Sequence, residues 1–360
     1  MQLGHNAKRE SRGQSMQVGL TGSIAVAGAG SIGCYVGGCL ALAGKKVTLL
    51  ARPRLAERVQ DRGLMLTGFD GLRAHLPATG IAATADPAEA LAQAALVLVT
   101  VKSRDTEAMA RLIAVHAPPN ATVVSLQNGV RNVETLRLGL PRHRVMAGMV
   151  PFNVVQSLDE GGTLRMHRAT RGTILVAREP AGVAQALDVP HAPVVAHADM
   201  QAVQWGKLLL NLNNALNALS GLPLAEQLAM RPWRLLLAAQ MQEALACLSA
   251  AKIAARGTEG VPLRLVPHIL RLPNALFLVI ARGMLAIDPS ARSSMWEDLT
   301  RQRPTEIDVL QGEILNLAER HQIRMPVTRA IVTAVKQAEA AGAGSPGFAP
   351  EAIRSAVKAA

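Results

Sequence analysis

Gly28, Gly30 and Gly33, in the stretch IAVAGAGSIG, have types and spacing that can do chemistry, the G-x-G-x-x-G pattern of a dinucleotide-binding turn. The first glycine allows a tight turn and the second lets a pyrophosphate approach the backbone. The third lets a helix pack close to the preceding strand, and the helix N–H groups then face the phosphates. Gly28, Ala29, Gly30, Ser31, Ile32 and Gly33 together form the candidate cofactor loop. Further on, where an NAD-type site offers an acid to the ribose hydroxyls, the chain reads Ala51-Arg52-Pro53-Arg54, with no Asp or Glu between Val47 and Arg54. Arg52 can pair with a 2′-phosphate instead, so the residues favour NADP over NAD. A solvated arginine at a strand end would read the same way.

A second group lies in Val203 to Ser220, VQWGKLLLNLNNALNALS. With Lys207 at angle zero on a helix, Asn211 and Asn214 fall within about 40° of it. Asparagine is a poor interior helix former, so amides beside a lysine on one face point to a polar pocket. The third group is Ser293 to Asp308, SSMWEDLTRQRPTEID. The hydroxyls of Ser293 and Ser294 and the carboxylate of Glu306 suit hydrogen bonding to a polar ligand. The same stretch also reads as a solvated face, with Thr305 as an N-cap after Pro304.

These residues need a scaffold that gathers them. Ile24 to Ala27, Lys46 to Leu50, Ala95 to Val101, Ala121 to Leu126 and Val145 to Val150 read as buried strands alternating with helices, which predicts a parallel, doubly wound sheet. Ligands of such sheets sit beyond the carboxyl ends of the strands, which makes Lys102 and Asn128 candidates. Short strands or a hairpin are expected within 63–84 as connecting structure, and a hairpin around Asp159 to Gly162 is expected to close the sheet. Beyond Met200 the pattern is helical to about Ala340. The predicted fold class is α/β, with an N-terminal Rossmann-type doubly wound sheet and a C-terminal all-helical domain. Its expected divisions are a disordered extension at 1–22, an NADP-binding Rossmann domain at 23–200, a helical substrate and catalytic domain at 201–340 and a loose tail at 341–360.

Composition narrows the function. A chain of 360 residues, 49% hydrophobic, can bury a sizeable core and is expected to form two domains. Its net charge of +12 is scattered, and aromatic residues make up only 2%, so stacking surfaces for nucleic acid are scarce and no nucleic-acid partner is expected. Three cysteines, Cys34, Cys39 and Cys247, form neither a disulfide framework nor a metal-ligand spacing, and the nine histidines add no metal motif, so no metal is predicted. Residues 1–22 lack an apolar leader core, and Met16 is an alternative start. The run from Ala275 to Ile287 is interrupted by Arg282 and is too short to span a bilayer. A cytoplasmic protein with no membrane partner is the expectation. No oligomeric state follows from the residues, and a homodimer is the assembly held in view.

Taken in order, GAGSIG, ARP, VTVKS, LQNGV, the W-x-K-L-x-x-N helix and SSMWEDLTRQRPTEID resemble the ketopantoate reductase (2-dehydropantoate 2-reductase) family from Ser23 to about Ala338. The resemblance implies that NADPH binds the glycine loop, with Arg52 and Lys102 on its adenosine phosphate side and Asn128 near nicotinamide and substrate. It further implies that Lys207 is the catalytic lysine, giving a proton to the carbonyl of a small 2-oxo acid as hydride arrives. By the same resemblance Asn211 orients the substrate, Ser294 binds its carboxylate or hydroxyl, and Glu306 contacts the cofactor or holds Lys207. The chain departs from the family at Ala215 and Ala225, where asparagines are usual, and at Gln302, where glycine is usual. The alternatives are a paralogue acting on another small 2-oxo acid and a non-catalytic NADPH-binding redox sensor.

Overall fold

The apolar run before Gly28 forms β1 (Ser23–Ala27), and the helix after the glycines is α1 (Ser31–Leu42). The structure, a computed structural model, describes residues 22–178, 182–257, 261–281 and 291–359. Apart from Gly22, the expected extension lies outside these residues, as does the 275–287 run beyond residue 281. From α1 the chain continues through β2 (Val47–Leu50), α2 (Pro53–Arg62), β3 (Leu64–Gly68), β4 (Arg73–Leu76), β5 (Ala82–Thr84), α3 (Pro87–Leu91) and β6 (Ala94–Val99). Next come α4 (Thr106–His116), β7 (Thr122–Ser125), α5 (Asn132–Gly139), β8 (Arg144–Met149), β9 (Val154–Leu158), β10 (Leu164–Arg168), β11 (Ile174–Ala177), α6 (Val183–Leu187) and β12 (Val194–His197).

Eight of these strands form one sheet in the order β12-β11-β8-β7-β6-β1-β2-β5. Every neighbouring pair is parallel except β8 and β11. Their side chains are apolar on both faces because helices cover both: α1 packs on one side, and α3, α4, α5 and the start of α7 (Met200–Asn211) pack on the other. The order of connection reverses at β1, which lies between β2 and β6. Ala27 pairs with Leu50 and with Val99, so the three strands end at one level, and the glycine loop, Arg52 and Lys102 leave the sheet on the same edge.

The small strands after α2 are more than a connection. β3 and β4 join β9 and β10 in a second sheet, ordered β4-β3-β10-β9, in which Leu64 pairs with Leu164. The hairpin at Asp159 to Gly162 forms as expected, but it belongs to this second sheet and does not close the first. The large sheet turns antiparallel at the β8–β11 pairing, beyond which β11 and β12 run parallel to each other and opposite to the other six strands.

The helical half comprises α7, α8 (Asn213–Ser220), α9 (Leu224–Ala229), α10 (Arg231–Ala250), α11 (Val266–Arg271), α12 (Asn274–Ile280), α13 (Ser294–Thr300), α14 (Ile307–Arg320), α15 (Pro326–Ala341) and α16 (Pro350–Ala359). Met200 and Val203 of α7 sit in the core of the sheet, whereas Leu208, Leu209 and Leu212 sit in the helical core, so this helix ties the two halves together. Leu212 separates α7 from α8 while keeping helical dihedrals, and its carbonyl accepts from Gln311 Nε2 at 3.0 Å.

The expected loose tail is ordered. Ser345 Oγ donates to Ala218 O at 2.7 Å, Phe348 N donates to Leu219 O at 2.8 Å, and Ile353 is buried. The tail thus satisfies carbonyls that the end of α8 leaves without helical partners. At Gln302 the backbone takes φ +51°, the left-handed region that favours glycine. Among the described residues, no helix is long and apolar enough to cross a membrane, and no cluster of metal-ligating side chains occurs.

Candidate active site

Gly28 has φ +106°, and a Cβ there would lie 2.7 Å from the backbone N of Val101, so this turn requires glycine. A Cβ at Gly33 would lie 2.7 Å from Gly28 O, which is the close helix-to-strand packing expected of the third glycine. Thr100 Oγ1 donates to Gly28 O at 2.6 Å and fixes the turn. Gly30 is exposed, and a Cβ added there would meet nothing within 4 Å, so its backbone faces open space. α1 begins beyond it with no side-chain cap and no acidic residue in its first turn. A bare, electropositive helix end behind a side-chain-free approach fits a pyrophosphate. Arg52, exposed, occupies the N-cap position of α2, after the next strand.

Two of the polar candidates, Lys102 and Asn128, follow β6 and β7. Lys102 Nζ lies 2.6 Å from Asp298 Oδ2 and 3.9 Å from Glu306 Oε2. Asn128 Nδ2 donates to Glu306 Oε2 at 3.3 Å, and its Oδ1 accepts from Asn211 Nδ2 at 3.5 Å. Lys102, Asn128, Asn211 and Glu306, spread over about 200 residues of chain, therefore meet in one network. The carbonyl of Asn128 is braced by Ser103 Oγ at 3.1 Å and Asn132 Nδ2 at 2.5 Å, which holds the turn that presents the side chain.

Lys207 lies one turn before Asn211 on α7. It retains partial exposure, yet its ammonium sits deep among protein atoms, and that burial pushes its pKa down from 10.5 to about 8. The ammonium donates to the Pro151 carbonyl at 3.2 Å. It is a cation one helical turn from Asn211, its pKa pushed down to about 8 by burial, beside the segment that follows β8. Such a group can hydrogen-bond a carbonyl oxygen and pass it a proton.

The serines and Asn214 stand differently. Ser293 is buried as the N-cap of α13: its Oγ accepts from Trp296 N at 3.2 Å and donates to Asn214 O at 3.0 Å. That hydroxyl is committed to the fold, which corrects its reading as a ligand group. Ser294, next in sequence, is exposed, and Asn214 is partly exposed on the face that carries Lys207. Thr305 Oγ1 accepts from Ile307 N at 3.2 Å, so it caps α14 from one residue further out than a standard N-cap. The sequence pattern missed Asp298 and Pro151. Asp298 lies four residues after Ser294, on the same helical face, a periodicity that could have flagged it. Pro151 acts through its carbonyl, which no side-chain pattern signals.

The family model for ketopantoate reductase PanE/ApbA matches residues 24–179, and the model for the C-terminal part of the same family matches residues 199–339. The chain belongs to the ketopantoate reductase PanE/ApbA family. A 2-dehydropantoate 2-reductase of Halobacterium salinarum is 29% identical, over 89% of this chain and 99% of its own. The crystal structure of a PanE/ApbA family ketopantoate reductase from Ralstonia eutropha JMP134, also 29% identical, superposes with a TM-score of 0.74 over 89% of this chain and 99% of that one. D-mandelate dehydrogenase, solved with NADH and anilino(oxo)acetate, shares the fold at a TM-score of 0.69 with 19% identity, covering 89% and 99% of the two chains. The chain is thus an oxidoreductase of a pyridine-nucleotide-dependent family, and the fold and the resemblance read from its motifs are both borne out.

Proposed function

We propose that this ketopantoate reductase family member reduces 2-dehydropantoate to pantoate with NADPH, on the route to pantothenate and coenzyme A. The observation that carries the reading is Lys207, a buried ammonium set one helical turn from Asn211, itself linked to Asn128 and Glu306. In this reading Gly28 to Gly33 hold the cofactor pyrophosphate, Arg52 meets the 2′-phosphate with Lys102 on the same adenosine phosphate side, and Asn128 and Glu306 line the path toward the nicotinamide. Bound NADPH supplies the hydride. Lys207 donates a hydrogen bond to the ketone oxygen and then its proton, which stabilises developing alkoxide charge more than the neutral ketone. Asn211 and Asn214 orient the substrate, and Ser294 offers a hydroxyl to its carboxylate or hydroxyl.

A second substrate is favoured by one feature. Ala215 is fully buried, and Asn217, near the position of the usual second asparagine, is consumed by Ser293 N, Leu222 O and Gln227 Oε1. A pocket without an amide for the distal hydroxyl loses preference for a hydroxylated substrate, so another small 2-oxo acid is the alternative.

The test is oxidation of NADPH and of NADH, followed by absorbance, with 2-dehydropantoate beside branched and unbranched 2-oxo acids, for the native chain and Arg52→Ala. Selective turnover of 2-dehydropantoate with NADPH is expected. Arg52→Ala is expected to weaken NADPH by about 10- to 100-fold while leaving NADH nearly unchanged, the loss of one charge-assisted phosphate contact. Equal losses for both cofactors would remove Arg52 from the phosphate, and preference for another acid would move the enzyme to that substrate.

A further inference from the structure

The chain crosses between its two sheets twice at one corner. It leaves the large sheet after β8 through residues 150–153 to enter β9, and it returns from β10 through residues 169–173 to β11. The two crossings are fastened together: Ala169 N donates to Asn153 O and Asn153 N donates to Thr170 Oγ1, both at 2.9 Å. Gly172, at φ +136°, lets the Pro151 ring lie against its Cα, since a Cβ there would come within 2.4 Å of Pro151 Cγ. The Phe152 ring is held between the edge of Tyr35, with centroids 5.8 Å apart, and the guanidinium of Arg168, 4.3 Å from the ring centroid.

Arg168 is 5% exposed and forms no ion pair among the described residues. Its fork meets backbone carbonyls instead: Nε donates to Thr170 O at 3.2 Å, Nη1 to His191 O at 2.8 Å and Nη2 to Gly172 O at 2.6 Å. Burying a guanidinium without a carboxylate is costly, and an apolar side chain would fill the space more cheaply. What arginine adds is a rigid planar fork that ties three carbonyls to the Phe152 ring at 4.3 Å and, more distantly, to the Phe69 ring at 5.6 Å. The segment it fixes contains Pro151, whose carbonyl accepts the hydrogen bond from Lys207 Nζ at 3.2 Å. That bond sets where the remaining N–H directions of the ammonium point.

We propose that Arg168 is a positioning residue for Lys207: through Phe152 and Gly172 it fixes the Pro151 carbonyl that orients the ammonium. The proposal rests on Lys207 being the proton donor. A proton donor misplaced by a fraction of an ångström loses much of its effect, so the consequence reaches the rate without any contact between Arg168 and the reactants. The Pro151 carbonyl also stabilises the charged form of Lys207, so releasing it lowers the pH at which the ammonium deprotonates.

The variants are Arg168→Met, which keeps length and removes the fork, and Arg168→Lys, which keeps charge alone. Two readouts are taken. One is turnover of the 2-oxo acid preferred by the native enzyme, as a function of pH, with NADPH affinity measured separately. The other is the pH dependence of Lys207 acylation by a small reagent, located by mass spectrometry, which needs no turnover. Expected in both variants are a kcat lowered about 10- to 100-fold, NADPH affinity within about twofold of native, and a Lys207 labelling midpoint lowered by about half a pH unit or more. A loss of thermal stability with native kcat per folded molecule and a native labelling midpoint would overturn the proposal and leave Arg168 a packing residue. If the native enzyme turns over no 2-oxo acid, the enzymatic reading fails, while the labelling midpoint still decides whether Arg168 governs Lys207. Should Arg168→Met not fold, Phe152→Leu, which removes the stacked ring at little change in volume, carries the same expectations.

Discussion

Lys102 Nζ stands 2.6 Å from Asp298 Oδ2 although 196 residues separate the two in sequence. One partner follows a strand of the sheet and the other lies on α13 of the helical half, so the pair fastens the halves beside the candidate cofactor path. Glu306 lies 3.9 Å from the same ammonium, and Asp298 and Glu306 are both buried. One lysine therefore serves two carboxylates that protein surrounds.

Asp298→Asn keeps the shape and removes one charge, leaving Lys102 to Glu306. Because the Lys102 side chain is 36% exposed, solvent screens part of the pairing, and the expected loss is about 1–3 kcal/mol, below that for a fully buried pair. Denaturant unfolding of the variant beside the native chain checks this. Unchanged stability would mean that the bridge contributes nothing net.

The depressed pKa of Lys207 predicts a pH profile. Proton donation needs the ammonium, which is charged below its folded value of about 8 and neutral above it. kcat/KM for 2-oxo acid reduction is therefore expected to be level below that value and to fall tenfold per pH unit above it. Lys207→Ala is expected to remove this limb, lower turnover by about 10²- to 10⁴-fold and leave NADPH bound. A flat profile up to pH 10, near the ordinary lysine value, would show that Lys207 is not the proton donor.

The tail offers a test of stability. Ser345 and Phe348 of the tail satisfy two carbonyls of α8, and Ile353 is buried; the tail is removed by deleting residues from 343 onward. Removing them is expected to cost roughly 3–5 kcal/mol, from two hydrogen bonds and one buried aliphatic side chain. Ser345→Ala is expected to cost about 1 kcal/mol. Thermal unfolding of both variants measures the difference, and native stability in the truncated chain would make the docking incidental.

Legibility in the sequence tracked how locally each feature is determined. The large sheet was readable because strands buried on both faces are continuous apolar runs, and the glycine loop because its three positions are fixed by one turn. Lys207 and Asn211 were readable because helical period alone places them on one face. The second sheet was not: β3 and β4 are short and partly exposed, and Leu64 finds its partner Leu164 a hundred residues away. Asp298 sat in a charged stretch that reads as solvated, and its burial depends on Lys102 arriving from the other half. The tail, rich in Ala, Gly and Pro, owes its order to free carbonyls at the end of α8, a requirement set by another element.

Asn214 and Asn217 are close in sequence and opposite in role, which makes them the sharpest contrast in the helical half. Asn217 is fully buried: its Oδ1 accepts from Ser293 N at 2.8 Å, and its Nδ2 donates to Leu222 O at 2.9 Å and Gln227 Oε1 at 3.1 Å. Asn217→Ala strands these groups without water and is expected to cost about 2–4 kcal/mol, since each buried group left unpaired costs about 1–3 kcal/mol and the site relaxes in part. Asn214 is partly exposed on the Lys207 face, and its backbone carbonyl, unlike its side chain, is used by Ser293. Asn214→Ala is therefore expected to change stability by less than about 0.5 kcal/mol while raising KM for the 2-oxo acid about 5- to 20-fold, one lost hydrogen bond to substrate. The reverse outcome, in which Asn214→Ala unfolds the chain and leaves KM unchanged, would take the Asn214 side chain out of the pocket and leave Asn211 as the amide that orients the substrate.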